Sequence, residues 1–251
     1  MADKVVLVTG AGSGIGEATA RRFSLDGYAV VLAGRTRAKL ERVAADLPAD
    51  RALVVEADVS DEEACIFLIN RTLERFGRLD VLVNNAGVHA SGPVAEAKTA
   101  DWRKVMGTDL DGVFFLTRAA VPQLVSTQGS IVNVSSVSGL GGDWDMSIYN
   151  AAKGAVTNFT RALAMELGPK GVRVNAVNPA LTLTDMTKDM KNDETLMAKI
   201  RERTPLRRPA DPDDIADVIA FLASHDARYV TGVNLPVDGG LSASNGQPPQ
   251  A

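Results

Sequence analysis

Tyr149 and Lys153 stand four residues apart and have the types needed to move a proton at an oxygen atom. On a helix such a pair projects from one face, one turn apart. An unperturbed phenol has a pKa of ~10 and is a weak base at neutral pH. Bringing it to ~7 takes about 4 kcal/mol of preferential stabilisation of the phenolate. An ammonium ~4 Å away supplies about that much at an effective dielectric near 20. The plain alternative for Tyr149 is a half-buried aromatic with a polar tip, and a second chemical feature is needed to argue against it.

That feature lies near the N-terminus, in Thr9-Gly10-Ala11-Gly12-Ser13-Gly14-Ile15-Gly16. Glycines let the chain turn sharply and let its backbone approach a pyrophosphate with no Cβ in the way. The helix expected to follow offers free N–H groups and the positive end of its dipole. The spacing is not G-x-G-x-x-G, because Ile15 or Glu17 stands where the last glycine would fall. It is Thr-Gly-x-x-x-Gly-x-Gly, carried by Gly10, Gly14 and Gly16. A ligand-free glycine-rich turn is the competing reading. Four glycines in seven residues exceed what a turn requires, so phosphate binding is favoured.

These groups need a scaffold. β-rich runs recur at 5–9, 29–33, 52–56, 79–84, 130–135, 172–177 and 233–237, several apolar at consecutive positions. Strands read so when helices cover both faces of a sheet. Helical periodicity fills the intervals 16–25, 37–47, 62–76, 102–124 and 149–167. The alternation predicts an α/β fold: a single doubly wound parallel sheet of about seven strands flanked by helices, Rossmann-type. No linker, repeat or composition shift divides residues 1–251, so one domain is expected, with a polar tail over 242–251.

Composition narrows the function classes. Of 251 residues, 45% are hydrophobic and 23% charged, as in soluble globular proteins. A net charge of −4 offers no basic footprint for nucleic acid and no polybasic membrane patch. No apolar run approaches a membrane span, and the opening residues are too short a run for a signal peptide. Cys65 is the only cysteine, which suits a cytoplasmic setting; it sits in an apolar helical stretch and reads as packing. His89 and His225 are too few and too far apart to suggest a metal site.

Further motifs are Asn84-Asn85-Ala86-Gly87, Tyr149-Asn150-Ala151-Ala152-Lys153, Asn178-Pro179-Ala180-Leu181-Thr182-Leu183-Thr184 and Val237-Asp238-Gly239-Gly240. With the glycine turn, in this order and spacing from about residue 5 to 240, the chain resembles the short-chain dehydrogenase/reductase family. The resemblance implies a single Rossmann-type domain, usually tetrameric, with the segments 102–124 and 149–167 as interface elements. It implies Tyr149 as general acid/base and Lys153 as a second holder of the nicotinamide ribose. It places a catalytic serine thirteen positions before the tyrosine, at Ser136, with Ser135 and Ser138 as lesser competitors. Ser136 would stabilise developing negative charge on the substrate oxygen; serines here could also merely cap the turn.

For the cofactor, the resemblance implies contacts from Gly10, Ser13, Gly14, Ile15 and Gly16, from Asp58 and Val59 beside the adenine, and from Asn85, Ala86 and Gly87. It adds Pro179, Thr182 and Thr184 on the nicotinamide side, with Thr184 holding the carboxamide. An NAD enzyme of this type carries a carboxylate about 20 residues after the glycine turn. Here Gly34 stands in that place and Arg35 follows. A guanidinium suits a 2′-phosphate and stacks on adenine, so NADP(H) is favoured and NAD(H) is the alternative. Arg35 and Arg37 as solvated helix-start residues is the plain reading.

Two departures from the family pattern stand out. Asp109-Leu110-Asp111-Gly112 replaces the usual Asn-Leu-x-Gly. Asp109 keeps the main-chain carbonyl implied in a water relay, and its carboxylate would pull the Lys153 pKa upward. Pro179-Ala180 replaces Pro-Gly and adds a methyl beside the nicotinamide. Between Ser136 and Tyr149, residues Asp143, Trp144, Asp145 and Met146 either line the substrate pocket or form loop surface. Residues 187–203 read as an amphipathic flap over the cleft. The expected activity is hydride transfer between NADP(H) and a small ketone, secondary alcohol or 3-oxoacyl substrate. The alternatives are a catalytically silent cofactor-binding regulator, which Tyr149 and Lys153 oppose, and a halohydrin dehalogenase relative, which Lys153 and the intact glycines oppose.

Overall fold

A computed structural model describes residues 4–247. Seven parallel strands form one sheet in the order β3-β2-β1-β4-β5-β6-β7. They are β1 Val5–Thr9, β2 Ala29–Gly34, β3 Ala52–Glu56, β4 Val81–Asn84, β5 Ser130–Val134, β6 Arg173–Pro179 and β7 Asn234–Val237. The fourth run begins two residues later than the sequence suggests, and the sixth extends through Pro179. Every residue of β1 and β5 is buried, as expected of central strands covered on both faces.

Side chains alternate between the two faces. Val5, Leu7, Val31, Leu82, Ile131 and Val174 join a core layer with the helices α3 (Glu62–Phe76), α5 (Gly112–Thr127) and α6 (Ser147–Leu167). Val6, Val8, Val30, Leu32, Val83 and Val132 meet α1 (Gly14–Leu25), α2 (Arg37–Ala44) and α9 (Pro212–Ala223) on the other. Each fully buried aliphatic side chain contributes roughly 1.5–3 kcal/mol. Asn84, Asn133, Thr117 and Thr160 hydrogen-bond one another inside this apolar core, at 2.9–3.2 Å.

The chain steps outward from β1 to β2 and β3, then returns to β4 on the other side of β1. Such a reversal opens a crevice beyond the carboxyl ends of the two central strands. The glycine turn leaves β1 and Asn85-Ala86-Gly87 leaves β4, so both motifs open into this crevice.

Two helical expectations need correction. The segment 102–124 is not one helix: α4 (Thr99–Met106) passes through a π-helical turn at Gly107–Asp111 before α5 begins. The flap is likewise divided, into a short α7 (Lys188–Lys191) and α8 (Glu194–Arg203), the latter capped where Asp193 accepts from the Leu196 N–H at 2.9 Å. Met197 is its buried anchor. Of the expected tail, Leu241–Ala243 form a 3-10 turn, and 248–251 lie outside the described residues.

Candidate active site

The glycine turn is built for close approach. Gly10 and Gly14 hold φ of 64° and 55°, in the left-handed region. A Cβ on Gly16 would lie 2.2 Å from the Gly10 carbonyl oxygen, and one on Gly14 would strike the Thr184 side chain at 2.9 Å. Ser13 occupies the N-cap of α1 without a side-chain capping bond. It therefore leaves the first-turn N–H groups unclaimed by its hydroxyl. Ile15 follows within that turn, partly buried. Glu17, in the first turn of α1, is engaged by Arg42 and Arg21, which hold it below the usual carboxylate range against the opposing effect of burial. Gly14 and Thr184 line a cavity of about 450 Å³ together with Arg21, Lys188 and Lys191. The turn thus fits a pyrophosphate: its backbone is bare and its first-turn N–H groups are left unclaimed by the Ser13 side chain.

Asn85 and Ala86 lock the second loop to the first. Their N–H groups both donate to Thr9 Oγ1 at 2.9 Å, and Asn85 Nδ2 donates to the Thr9 carbonyl at 2.7 Å. Thr184 begins a capping box with Thr187 beside Gly14. Thr182 is buried and donates to the Ala180 carbonyl at 3.1 Å, so its hydroxyl is engaged within its own loop.

Tyr149 and Lys153 share the first two turns of α6, and Lys153 Nζ lies 5.5 Å from the centre of the Tyr149 ring. Lys153 is 4% exposed and Asp109 0%; they form an ion pair at 3.1 Å. The contact is electrostatic rather than a well-directed hydrogen bond, since Asp109 Oδ2 has no hydrogen-bond partner. Asp109 Oδ1 accepts from the Val88 N–H at 2.7 Å, and Lys153 Nζ donates to the Val134 carbonyl at 3.0 Å. Burial disfavours the ammonium, but the Asp109 charge and then Tyr149 outweigh it and hold the lysine above its ordinary pKa. This is the direction expected from the Asp109 departure. Gly87 makes room for the pair: a Cβ there would sit 2.9 Å from Asp109 Oδ2.

The three serines after β5 separate by partner. Ser135 Oγ points into α6, donating to the Lys153 carbonyl at 3.0 Å and meeting Thr157 at 2.8 Å. Ser136 caps the turn, accepting from the Ser138 N–H at 3.1 Å, but its own proton has only long partners: Ser138 Oγ at 3.2 Å and the Pro179 carbonyl at 3.5 Å. It is the serine whose donor is free to pivot. Asn178 steadies it from β6, Nδ2 donating to the Ser136 carbonyl at 2.7 Å.

At the adenosine end, Gly34 ends β2 with ordinary space around it; the nearest atom to a Cβ would be Leu40 Cδ2 at 3.5 Å. Arg35 is more than half exposed and lies 3.9 Å from the Asp58 carboxylate. Val59 is buried against the core behind it. Lys39 reaches across the cleft mouth to Asp185 of the flap at 2.8 Å. Asn150 was not singled out by sequence, yet Nδ2 pins the loop by donating to the Ser138 and Gly141 carbonyls at 2.8 and 2.7 Å. Its position directly after Tyr149 was the available signal. A second cavity, of about 380 Å³, lies under α8 between Ala180, Leu181, Ile200, Leu206 and Leu241. Neither Tyr149 nor Ser136 lines it, so it flanks the proton-transfer groups.

A family model described as enoyl-(acyl carrier protein) reductase matches residues 10–242. A meso-2,3-butanediol dehydrogenase of Serratia marcescens is 52% identical over 98% of this chain and 97% of its own. A solved short-chain dehydrogenase/reductase from Brucella melitensis superimposes with a TM-score of 0.91 at 39% identity, covering 95% of this chain and 96% of that one. A 3-ketoacyl-(acyl-carrier-protein) reductase from the same organism, complexed with NADH, gives 0.89 at 38% identity over 96% and 98%. With its parallel seven-stranded sheet, glycine turn and Tyr-x-x-x-Lys helix, the chain belongs to the short-chain dehydrogenase/reductase family.

Proposed function

We propose that this protein moves a hydride between NADP(H) and a small ketone or secondary alcohol, with Tyr149 as general acid/base. The observation that carries the reading is the buried Asp109–Lys153 pair one helical turn from Tyr149, which keeps a cation beside the phenol. The 52% identical butanediol dehydrogenase supports a vicinal diol and its hydroxyketone as the first substrates to offer. When bound, the nicotinamide supplies or accepts the hydride at the reacting carbon. Gly10, Ser13, Gly14, Ile15 and Gly16 would cradle the pyrophosphate, Asp58 and Val59 the adenine, and Asn85, Ala86 and Gly87 the floor of the cleft. Pro179, Thr182 and Thr184 would border the nicotinamide.

In alcohol oxidation the Tyr149 phenolate takes the hydroxyl proton; in reduction the phenol returns it to the alkoxide. Ser136 Oγ turns its loosely held proton toward the substrate oxygen and stabilises the charge that develops there. Lys153 favours the phenolate and would hold the ribose hydroxyls of the bound cofactor. Gly34 in place of a carboxylate, with Arg35 beside it, supports NADP(H) over NAD(H). A homotetramer is part of the proposal, supported by apolar side chains left exposed on α4, α5 and α6: Trp102, Phe114 and Met165. The lone, buried Cys65 suits the cytoplasm.

The test follows cofactor absorbance with 2-butanone and acetoin, using NADPH and NADH in parallel. Turnover with NADPH, and a loss of about 10²–10⁴-fold in Tyr149→Phe, is expected. A Tyr149→Phe variant as fast as the parent overturns the mechanism, and tighter binding of NADH overturns the cofactor preference. Cofactor binding without turnover across a broad ketone panel would leave the silent regulator as the better reading.

A further inference from the structure

Ser136 begins a hydrogen-bonded ladder that leads out of the reaction site. Its hydroxyl lies 3.2 Å from Ser138 Oγ, and Ser138 Oγ in turn hydrogen-bonds Asp143 Oδ2. An ionised carboxylate only accepts, so Ser138 spends its single proton on Asp143. Ser138 is therefore an acceptor toward Ser136 and cannot compete with it as donor to the substrate oxygen. The ladder is held from below: Ser138 and Gly141 are pinned through their carbonyls by Asn150, and the Asp145 carbonyl accepts from the Gly92 N–H at 2.7 Å. Ser138 is nearly closed to solvent, whereas Asp143 is exposed.

From this we infer that Asp143 reads a second hydroxyl next to the reacting carbon, making a vicinal diol or α-hydroxyketone the preferred substrate class. The inference rests on the oxidoreductase reading above. Adjacent oxygens of such a molecule are separated by about one hydrogen-bond length, ~3 Å. Asp143 stands two hydrogen bonds from Ser136, so a substrate with its reacting oxygen on Ser136 and its neighbouring hydroxyl alongside Ser138 comes within reach of the carboxylate. Asp143 keeps acceptor capacity after bonding Ser138, because a carboxylate offers about four lone-pair sites. A hydroxyl donated to a charged acceptor makes a stronger bond than a neutral pair does. A simple ketone leaves the carboxylate facing water and gains nothing from it.

The experiment measures kcat/KM with acetoin and with 2-butanone for the parent, Asp143→Ala, Asp143→Asn and Ser138→Ala, with NADPH affinity of each variant as a check on folding. The parent should prefer acetoin by at least about tenfold. Asp143→Ala should erase most of that preference, chiefly through KM for acetoin. Asp143→Asn, which keeps a neutral acceptor, should restore part of it. Ser138→Ala should lower the preference by freeing the carboxylate from its anchor. A parent that treats the two ketones alike, or variants that keep the parent's ratio, overturns the role of Asp143 while the oxidoreductase reading stands. A parent that turns over neither compound nor any other ketone sinks both.

Discussion

Asp109 is the residue with the sharpest consequence. A buried carboxylate beside Lys153 raises the lysine's pKa and offsets part of its field at Tyr149. Asp109→Asn removes that charge while an amide oxygen keeps the bond from Val88. The lysine's pull on the phenolate then strengthens, so the acid limb of alcohol oxidation should move to lower pH. Desolvation of Lys153 then loses its larger opponent and is countered by Tyr149 alone, so the lysine loses its proton sooner and the alkaline limb should also fall. A displacement of about one pH unit or more follows from a charge at this distance in a screened interior. A pH–rate series in which neither limb moves refutes the coupling. For folding the sign is simple: the lysine's folded pKa is raised, so its contribution is complete below the unfolded value of ~10.4 and is lost as pH rises through the higher folded value. At neutral pH Lys153 is therefore held charged and its contribution is fully present.

At the level of elements, two glycines at strand and helix ends should respond oppositely to a side chain. Gly16 faces the Gly10 backbone at a distance no Cβ tolerates. Gly16→Ala should abolish measurable cofactor binding in a fluorescence titration; full affinity would show that the turn has slack. Gly34 ends β2 with ordinary contact distances around it. Gly34→Asp installs a carboxylate where NAD carriers hold the ribose, and the NADPH-to-NADH ratio of kcat/KM should fall tenfold or more. An unchanged ratio would mean that Arg35 does not face the 2′ position. The π turn at Gly107–Asp111 is the element that sequence periodicity missed. Residues 102–124 keep an apolar stripe on both sides of the turn, so nothing in the pattern marks one extra residue in a turn. Yet that turn aims Asp109 at Lys153. The central strands were legible because parallel, two-sided burial puts apolar residues at consecutive positions, as in Val5–Val8 and Ile131–Val132.

Across the whole molecule exposed apolar side chains are scattered, and α5 and α6 each carry one, Phe114 and Met165. Phe114 is 41% and Met165 80% exposed, and Phe114 touches Phe159 of α6 with ring centres 6.3 Å apart. The Arg118 guanidinium lies 5.0 Å from the Phe114 ring and covers it in part. Burying such a face in a symmetric contact is the ordinary route to a stable oligomer. Light scattering should report four times the chain mass, and Phe114→Asp or Met165→Asp should reduce it. A monomer at micromolar concentration would contradict the tetramer.

The order of motifs along the chain was enough to determine the doubly wound sheet, the glycine turn after β1 and the Tyr149–Lys153 pair. Each depends on local spacing: glycines where the backbone must turn, two side chains one helical turn apart, apolar runs wherever both faces are covered. Only the tertiary structure decided which of three serines keeps a free proton, that Asp109 meets Lys153 across Gly87, and that Ser138 ties Ser136 to Asp143. Those contacts join segments tens of residues apart or depend on a loop with no periodicity. Their geometry exists only after strands, helices and loops have packed.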